Sequence, residues 1–266
     1  MNIGVVGLGV VGSAVKHGLE RIGHIVHGYD LKDPATSLAD VIDTEVTFVC
    51  VPTPSLADGS CDVSHVIGVV EDLEHARYSG VVAIKSTVTP GTSEVLAGQY
   101  PSLRIVFCPE FLRERAAFVD FVQNHDLCVI GTDRDDDYDV VARAHGQLPK
   151  NIVRLTRTEA ELAKYFSNVF NALRVVFANE FFEVCRAMGA DYGAIKSAMV
   201  KRVTIEDVYL DCNERFRGFG GVCLPKDTAA FAALVRSLGL DIRLFQTIVD
   251  ENRKFQVTVP EGMRAL

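Results

Sequence analysis

The stretch Met1-Asn2-Ile3-Gly4-Val5-Val6-Gly7-Leu8-Gly9-Val10-Val11-Gly12 decides the fold. A β-branched apolar run, Ile3–Val6, meets three glycines spaced Gly-x-Gly-x-x-Gly, and a helical pattern follows from Val10 to Ile22. In a strand–turn–helix unit these glycines permit a tight turn, let the backbone approach a pyrophosphate, and let helix and strand pack closely. Asp30 closes the second apolar run, Ile25–Tyr29, where a carboxylate would bind a ribose hydroxyl and repel a 2′-phosphate; Lys32 slightly weakens that preference for NAD over NADP.

Working outward, short apolar runs alternate with helical patterns: Val46–Val51, Val81–Ile84, Arg104–Phe107 and Leu127–Ile130. Their β-branched content suits strands buried on both faces, and strand–helix alternation implies a parallel sheet. The expected fold is α/β, an N-terminal Rossmann-type, doubly wound parallel sheet followed by an all-helical domain. Near residues 148–157 the texture changes. Glu159 to Met188 contains no proline or glycine and reads as one long helix, with further helices at Tyr192–Lys201, Pro225–Leu238 and Ile242–Phe255. Residues 1–150 are therefore expected to form the dinucleotide-binding domain and 151–266 the helical one.

Composition narrows the function. Of 266 residues 48% are hydrophobic, enough for real cores, and a formal charge of −8 gives no footprint for nucleic acid or an anionic membrane. The seven cysteines are scattered without a CxxC pair, which points to a reducing, cytoplasmic compartment with neither a disulfide framework nor a metal site. No secretory leader pattern or membrane-length apolar run is present in the sequence.

Four groups carry candidate chemistry. The string Gly218 to Asp227 (GFGGVCLPKD) sets Cys223 at the opening of a helix with Lys226 nearby; both features favour a thiolate. Lys164 and Asn168 lie one turn apart on the long helix. A solvated stripe is the plain alternative, but the apolar neighbours Tyr165, Phe166, Val169 and Phe170 suggest that the lysine faces a cleft. Cys108-Pro109-Glu110-Phe111-Leu112-Arg113-Glu114 follows the fifth strand, and Lys85-Ser86-Thr87-Val88-Thr89-Pro90-Gly91-Thr92 follows the fourth. Ligands of doubly wound sheets bind beyond the strands' carboxyl ends, although either loop alone could be merely polar.

Together GLGVVG, KSTVTPGT, CPEFLRE, the EAELAKYFSN helix and GFGGVCLPKD resemble the nucleotide-sugar 6-dehydrogenases, the UDP-glucose/GDP-mannose dehydrogenase family, from residue 1 to about 255. The resemblance implies oxidation of a sugar C6 alcohol to a carboxylate with two NAD⁺, through a thiohemiacetal and a thioester on cysteine. Carried over, Cys223 would be the nucleophile, with Lys164 and Asn168 stabilising oxyanion charge and holding the catalytic water. Asp227 would support that network, Glu114 would be the acid/base for thioester hydrolysis, and Thr87 would order the water.

The cofactor would meet Gly7, Gly9, Val10, Val11, Gly12, Asp30 and Lys32. It would also meet Val51, Pro52, Thr53, Ser86, Thr87, Glu114 and Lys226. The substrate would meet Glu110, Phe111, Leu112, Arg113, Lys164 and Asn168, and, from the second domain, Arg215, Arg217, Phe219, Gly220 and Cys223. Arg215 and Arg217 are candidate phosphate ligands, with an exposed rim as the other reading.

The resemblance further implies a homodimer through the helical domain, for which Leu238–Val249 is a candidate surface. Family members normally continue into a third, nucleotide-binding domain. This chain ends at Leu266, so a short form is expected, with nucleotide recognition weakened or supplied by a separate protein. Two rivals stand beside this reading. A β-hydroxyacid dehydrogenase shares the plan and the Lys/Asn pair but needs no cysteine, and a non-catalytic nucleotide-binding protein would need none of the set. A histidine-based dehydrogenase is disfavoured because the last histidine is His145.

Overall fold

The computed structural model describes residues 1–255. Seven strands, β1 (Asn2–Val6), β2 (Ile25–Tyr29), β3 (Val46–Val49), β4 (Val81–Ile84), β5 (Arg104–Phe107), β6 (Leu127–Gly131) and β7 (Asn151–Leu155), form one sheet in the order β2-β1-β3-β4-β5-β6-β7. All neighbouring pairs are parallel except β5 and β6, which meet antiparallel at Phe107 and Gly131. The strand order reverses at β1, whose neighbours are β2 and β3, so the crevice of a doubly wound sheet opens at the carboxyl end of β1, where the glycines lie.

The central strands are buried on both faces, as their unbroken apolar sequences require. On one face Ile3, Val5, Phe48, Ala83 and Val106 join α1 (Val10–Arg21), α5 (Ala117–Val122) and α6 (Asp135–His145); on the other, Val49, Val82, Ile84 and Phe107 join α3 (Ser64–His75) and α4 (Thr92–Gln99). The short α2 (Ala39–Ile42) leads into β3.

The six strands read from the sequence are present, but β7 was assigned there to the boundary. It is an edge strand whose residues are half-buried or exposed, and Arg154 interrupts its apolar pattern, so the periodicity is weak. The first turns of α7 (Arg157–Met188) belong with the sheet: Arg157 donates to the Ile105 carbonyl and pairs with Asp133 and Glu94. The compact division consequently falls inside α7. One unit comprises Met1–Leu56 and Cys61–Lys164, the other Ala57–Ser60 and Tyr165–Leu266.

The described part of the second unit holds the rest of α7, α8 (Tyr192–Met199), α9 (Cys223–Ser237) and α10 (Leu244–Asn252). Val169, Ala172, Val176, Phe219 and Ile248 form one core, and Ala178, Cys185 and Tyr192 a smaller one. The polar loop before α9 is tied down by Lys196, which pairs with Asp207 and Asp211 at 2.8 and 2.6 Å, and by Tyr192, which donates to the Leu210 carbonyl.

Candidate functional site

The glycine turn does three separate jobs. Gly7 has φ 88°, a conformation that other residues rarely adopt, and a side chain there would also strike the Cys50 carbonyl. A Cβ on Gly12 would lie 1.8 Å from the Gly7 carbonyl oxygen, so this glycine is required by helix–turn packing. At Gly9 an added Cβ meets no protein atom within 4 Å. Nothing in the protein demands glycine at position 9; the open space suits a close-approaching ligand. Gly9 is also the N-cap of α1, whose first turn has no capping side chain and no acidic residue, so the N–H groups beginning at Val10 and Val11 suit a pyrophosphate.

Asp30 accepts the Leu8 N–H at 2.7 Å and the Lys32 N–H at 2.9 Å. These bonds, that of Lys32 first, hold its carboxyl below the ordinary range and fix it as an anion beside the turn. The residues present therefore fit a dinucleotide with an unphosphorylated adenosine ribose. Of the other expected cofactor contacts, Val51 is half-buried and Pro52 exposed, whereas Thr53 is buried. Ser86 is buried and its hydroxyl donates to the Val51 carbonyl at 2.7 Å, a bond that ties the β3 and β4 loops together. Thr87 is half-buried, and its carbonyl accepts the Cys61 thiol at 3.4 Å.

The segment after β5 is held by two buried lysines. Lys85 Nζ donates to the Cys108 carbonyl at 3.2 Å, and Lys164 Nζ donates to the Glu110 carbonyl at 2.6 Å while lying 3.2 Å from Glu110 Oε1. Lys164 is 3% exposed, so the reading of this helix position as part of a solvated stripe fails. The carboxylate paired with Lys164 is that of Glu110, whose other oxygen accepts the Leu112 N–H. Phe111 lies beneath the same ammonium, 5.8 Å from the ring centre, and Leu112 packs on the sheet core. Glu114 opens a 3₁₀ turn, Glu114–Ala116.

Arg113, expected at the substrate, grips Asp120 in a two-pronged pair at 2.9 and 2.6 Å, and this draws the Asp120 carboxyl down to about 2. Its fork has a structural job. Sequence reasoning missed Glu161, fully buried, which accepts N–H bonds from Gly91 and Ser93 at 2.5 and 2.8 Å and anchors the loop after β4 to the first turns of α7. No local pattern announces so distant a pairing.

In the second unit Cys223 is the first residue of α9, whose N-cap, Val222, offers no capping bond. The thiol is half-buried. One turn on, Asp227 is 1% exposed; Asn168 Nδ2 donates to its Oδ2 and Lys226 Nζ to its Oδ1, both at 2.6 Å. Lys226, expected near the thiol and cofactor, is thus engaged by the carboxylate. Arg215 is exposed and Gly220 half-buried. Arg217 donates to Asn179 Oδ1 at 2.7 Å, pairs with Glu183, and sits 4.8 Å from the ring centres of Phe182 and Phe255. Phe219 is not available to a ligand as expected: its ring is in the helical core, 5% exposed, and its backbone N–H and carbonyl are both bonded by Asn252.

A doubly wound sheet with an anion-ready glycine turn, followed by helices bearing buried Lys, Asn and Asp and a helix-opening cysteine, defines a dinucleotide-binding protein of the dehydrogenase type. Comparison with known proteins specifies which. Residues 34–148 match the NAD binding domain of the UDP-glucose/GDP-mannose dehydrogenase family, and residues 158–254 match its central domain. The chain is 30% identical to a UDP-glucose 6-dehydrogenase of Haloferax volcanii over 95% of its own length and 69% of that protein. It is 32% identical to one of Pseudomonas aeruginosa, covering 82% of this chain and 51% of that one. A UDP-glucose dehydrogenase structure from Pyrobaculum islandicum superposes with a TM-score of 0.87 at 28% identity, over 95% of this chain and 68% of that one.

The protein belongs to the UDP-glucose/GDP-mannose dehydrogenase family, and its cofactor is NAD. It spans between about half and about seven-tenths of the length of these relatives. Among the described residues no helix is long and apolar enough to cross a membrane.

Proposed function

We propose that the chain carries the NAD-dependent, four-electron oxidation of a nucleotide-sugar C6 alcohol to the uronic acid, with a UDP-glucose-type substrate. The observation that carries this reading is the position of Cys223 at the uncapped start of α9, with the Asn168–Asp227–Lys226 network one turn away. An uncapped helix N-terminus stabilises a thiolate. A thiolate is superfluous to a two-electron alcohol dehydrogenase and necessary for an aldehyde-to-acid step.

NAD⁺ held at the Gly7–Gly12 turn with Asp30 at its ribose would supply the hydride acceptor for C6 in each of two successive oxidations. The alcohol proton of the first passes to a basic side chain of the Lys164–Glu110 pair. Glu114 is the acid/base of thioester hydrolysis, and Glu110, whose Oε1 lies 3.2 Å from Lys164 Nζ, is placed to exchange a proton with the lysine. Cys223 sulfur then bonds to the aldehyde carbon, giving a thiohemiacetal whose oxyanion is met by the ammonium of Lys164 and the amide of Asn168. Loss of the second hydride leaves a thioester. Water ordered by Thr87 adds to it and gives one proton to Glu114, the C–S bond breaks, and the sugar leaves as the carboxylate while Cys223 regains its thiol.

A homodimer fits this reading, with its surface on α7. Phe166, Phe170, Phe177, Phe181, Val184 and Met188 recur along one helix at 39 to 79% exposure, a longer apolar stripe than Leu238–Val249, in which Ile248 is core. The seven cysteines, none in a disulfide, support a cytoplasmic setting. Incubation of the purified protein with NAD⁺ and UDP-glucose, GDP-mannose or a simple β-hydroxyacid tests the assignment. NADH formation with a nucleotide sugar and not with the hydroxyacid is expected; the reverse pattern contradicts it.

A further inference from the structure

Within the sheet unit, three ligand-bearing side chains that the dehydrogenase chemistry does not use converge. Cys108 Sγ and Cys128 Sγ are 3.9 Å apart, and with one ring nitrogen of His145 the ligand atoms all fall within 4.8 Å of one another. The side chains are 0, 1 and 0% exposed. His145 Nδ1 is 2.9 Å from the Val141 carbonyl and is accounted for as its donor. That bond fixes the tautomer and leaves a lone pair on Nε2, which is buried with no hydrogen-bond partner. An imidazole anchored to a carbonyl through one nitrogen, with the other left as a base, is the arrangement of a metal-binding histidine.

Distance and charge select the ion. Two thiolates about 2.3 Å from a metal stand roughly 4.0 Å apart in a trigonal site and roughly 3.8 Å apart in a tetrahedral one, and the sulfurs already have this spacing. Lys85 Nζ, 3.5 Å from Cys108 Sγ, is placed to donate to that sulfur from outside the ligand set. Two thiolates and one ammonium sum to minus one. A monovalent cation makes the cluster neutral, whereas a divalent one leaves an uncompensated charge in a dry interior. Thiolate and imidazole donors favour a soft ion.

We propose that Cys108, Cys128 and His145 form a trigonal site for a soft monovalent metal ion of the copper(I) class, with Lys85 as an outer donor to Cys108. The site joins β5, β6 and α6. The ligands come from three distant points in the sequence, which explains why a search for CxxC spacing passes over them.

The test is anaerobic incubation of the native protein with copper(I) under competition from a chromophoric copper(I) chelator, followed by desalting and metal counting. One copper per chain is expected, with retention lost in Cys128→Ala and kept in Cys212→Ala. X-ray absorption on the loaded native protein, which needs no variant, should show two sulfur neighbours and one nitrogen. The proposal is overturned if the folded protein retains no copper, if Cys128→Ala retains it fully, if the shell is sulfur alone, or if zinc(II) is held as tightly.

Discussion

Asn168 Nδ2 and Asp227 Oδ2 are 2.6 Å apart, and the two residues come from different helices, α7 and α9. Because Asp227 is 1% exposed and also receives Lys226, it is a buried anion with two donors. Removing it leaves a half-buried ammonium and a buried amide without this acceptor. Asp227→Ala should destabilise the protein by about 3 kcal/mol, the lower end for breaking a buried pair. Turnover should fall roughly 100-fold, as for loss of a positioned acid–base group. Urea titration and steady-state kinetics check both effects; Asp227→Asn should spare most of the stability while turnover still falls.

Gly9 and Gly12 separate ligand binding from folding. Gly9→Ala introduces a methyl that meets no protein atom, at φ −70° and ψ −160°, which alanine adopts freely. Stability should stay within about 0.5 kcal/mol, as for a surface change, while NAD binding weakens. Gly12→Ala drives a methyl into the Gly7 carbonyl and should destabilise by about 1–3 kcal/mol, the range for overpacking. Thermal unfolding with and without NAD distinguishes the two.

Asp30 should set cofactor choice. Its carboxylate is fixed by the Leu8 and Lys32 N–H groups at the end of β2. Asp30→Ala should raise the KM for NAD⁺ about tenfold, the loss of a charged hydrogen bond of some 1.5 kcal/mol, and should narrow the gap between NAD⁺ and NADP⁺. An unchanged NAD⁺/NADP⁺ ratio would remove the residue from this role.

Much of this was legible in the sequence, and the failures share a cause. The conformation of the glycine turn and the place of Asp30 at the end of β2 were readable because local backbone and spacing along one βαβ unit set them. Lys164, Asn168 and Asp227 were readable as candidates from helix spacing and motif, but their partners were not. Arg113 with Asp120, Arg217 with Asn179 and Glu161 with the α4 N-terminus are pairings that only the fold brings together. Phe219 was assigned to the substrate through the family resemblance, whereas its ring packs in the helical core, which no local pattern shows. The aromatics of α7 divide: of the apolar neighbours that suggested a cleft for Lys164, Tyr165 is 1% exposed and Phe166 74%.

His125 makes the sheet unit acid-sensitive. Burial, and then the neighbouring His145, lower its pKa from the ordinary 6.5 to about 4. The native state thus holds it neutral, so its contribution is complete above pH 6.5 and is lost as pH falls from 6.5 towards 4. A shift of this size corresponds to about 3 kcal/mol. Urea midpoints across that window should decline in the parent and decline less in His125→Gln; parallel curves would exclude His125 as the cause.

The α7 stripe predicts the assembly. Phe177→Glu, at a position 56% exposed, should leave the fold intact and convert a dimer to monomer in sedimentation. A parent protein that sediments as a monomer would contradict the surface assignment.

The central claim is that Cys223 makes the second oxidation possible. Its most direct test is the amount of NADH formed per sugar consumed, in the parent protein and in Cys223→Ser. Two NADH per sugar are expected for the parent, with no complete conversion to the uronic acid by the serine variant. One NADH per sugar, unaffected by the substitution, would contradict it.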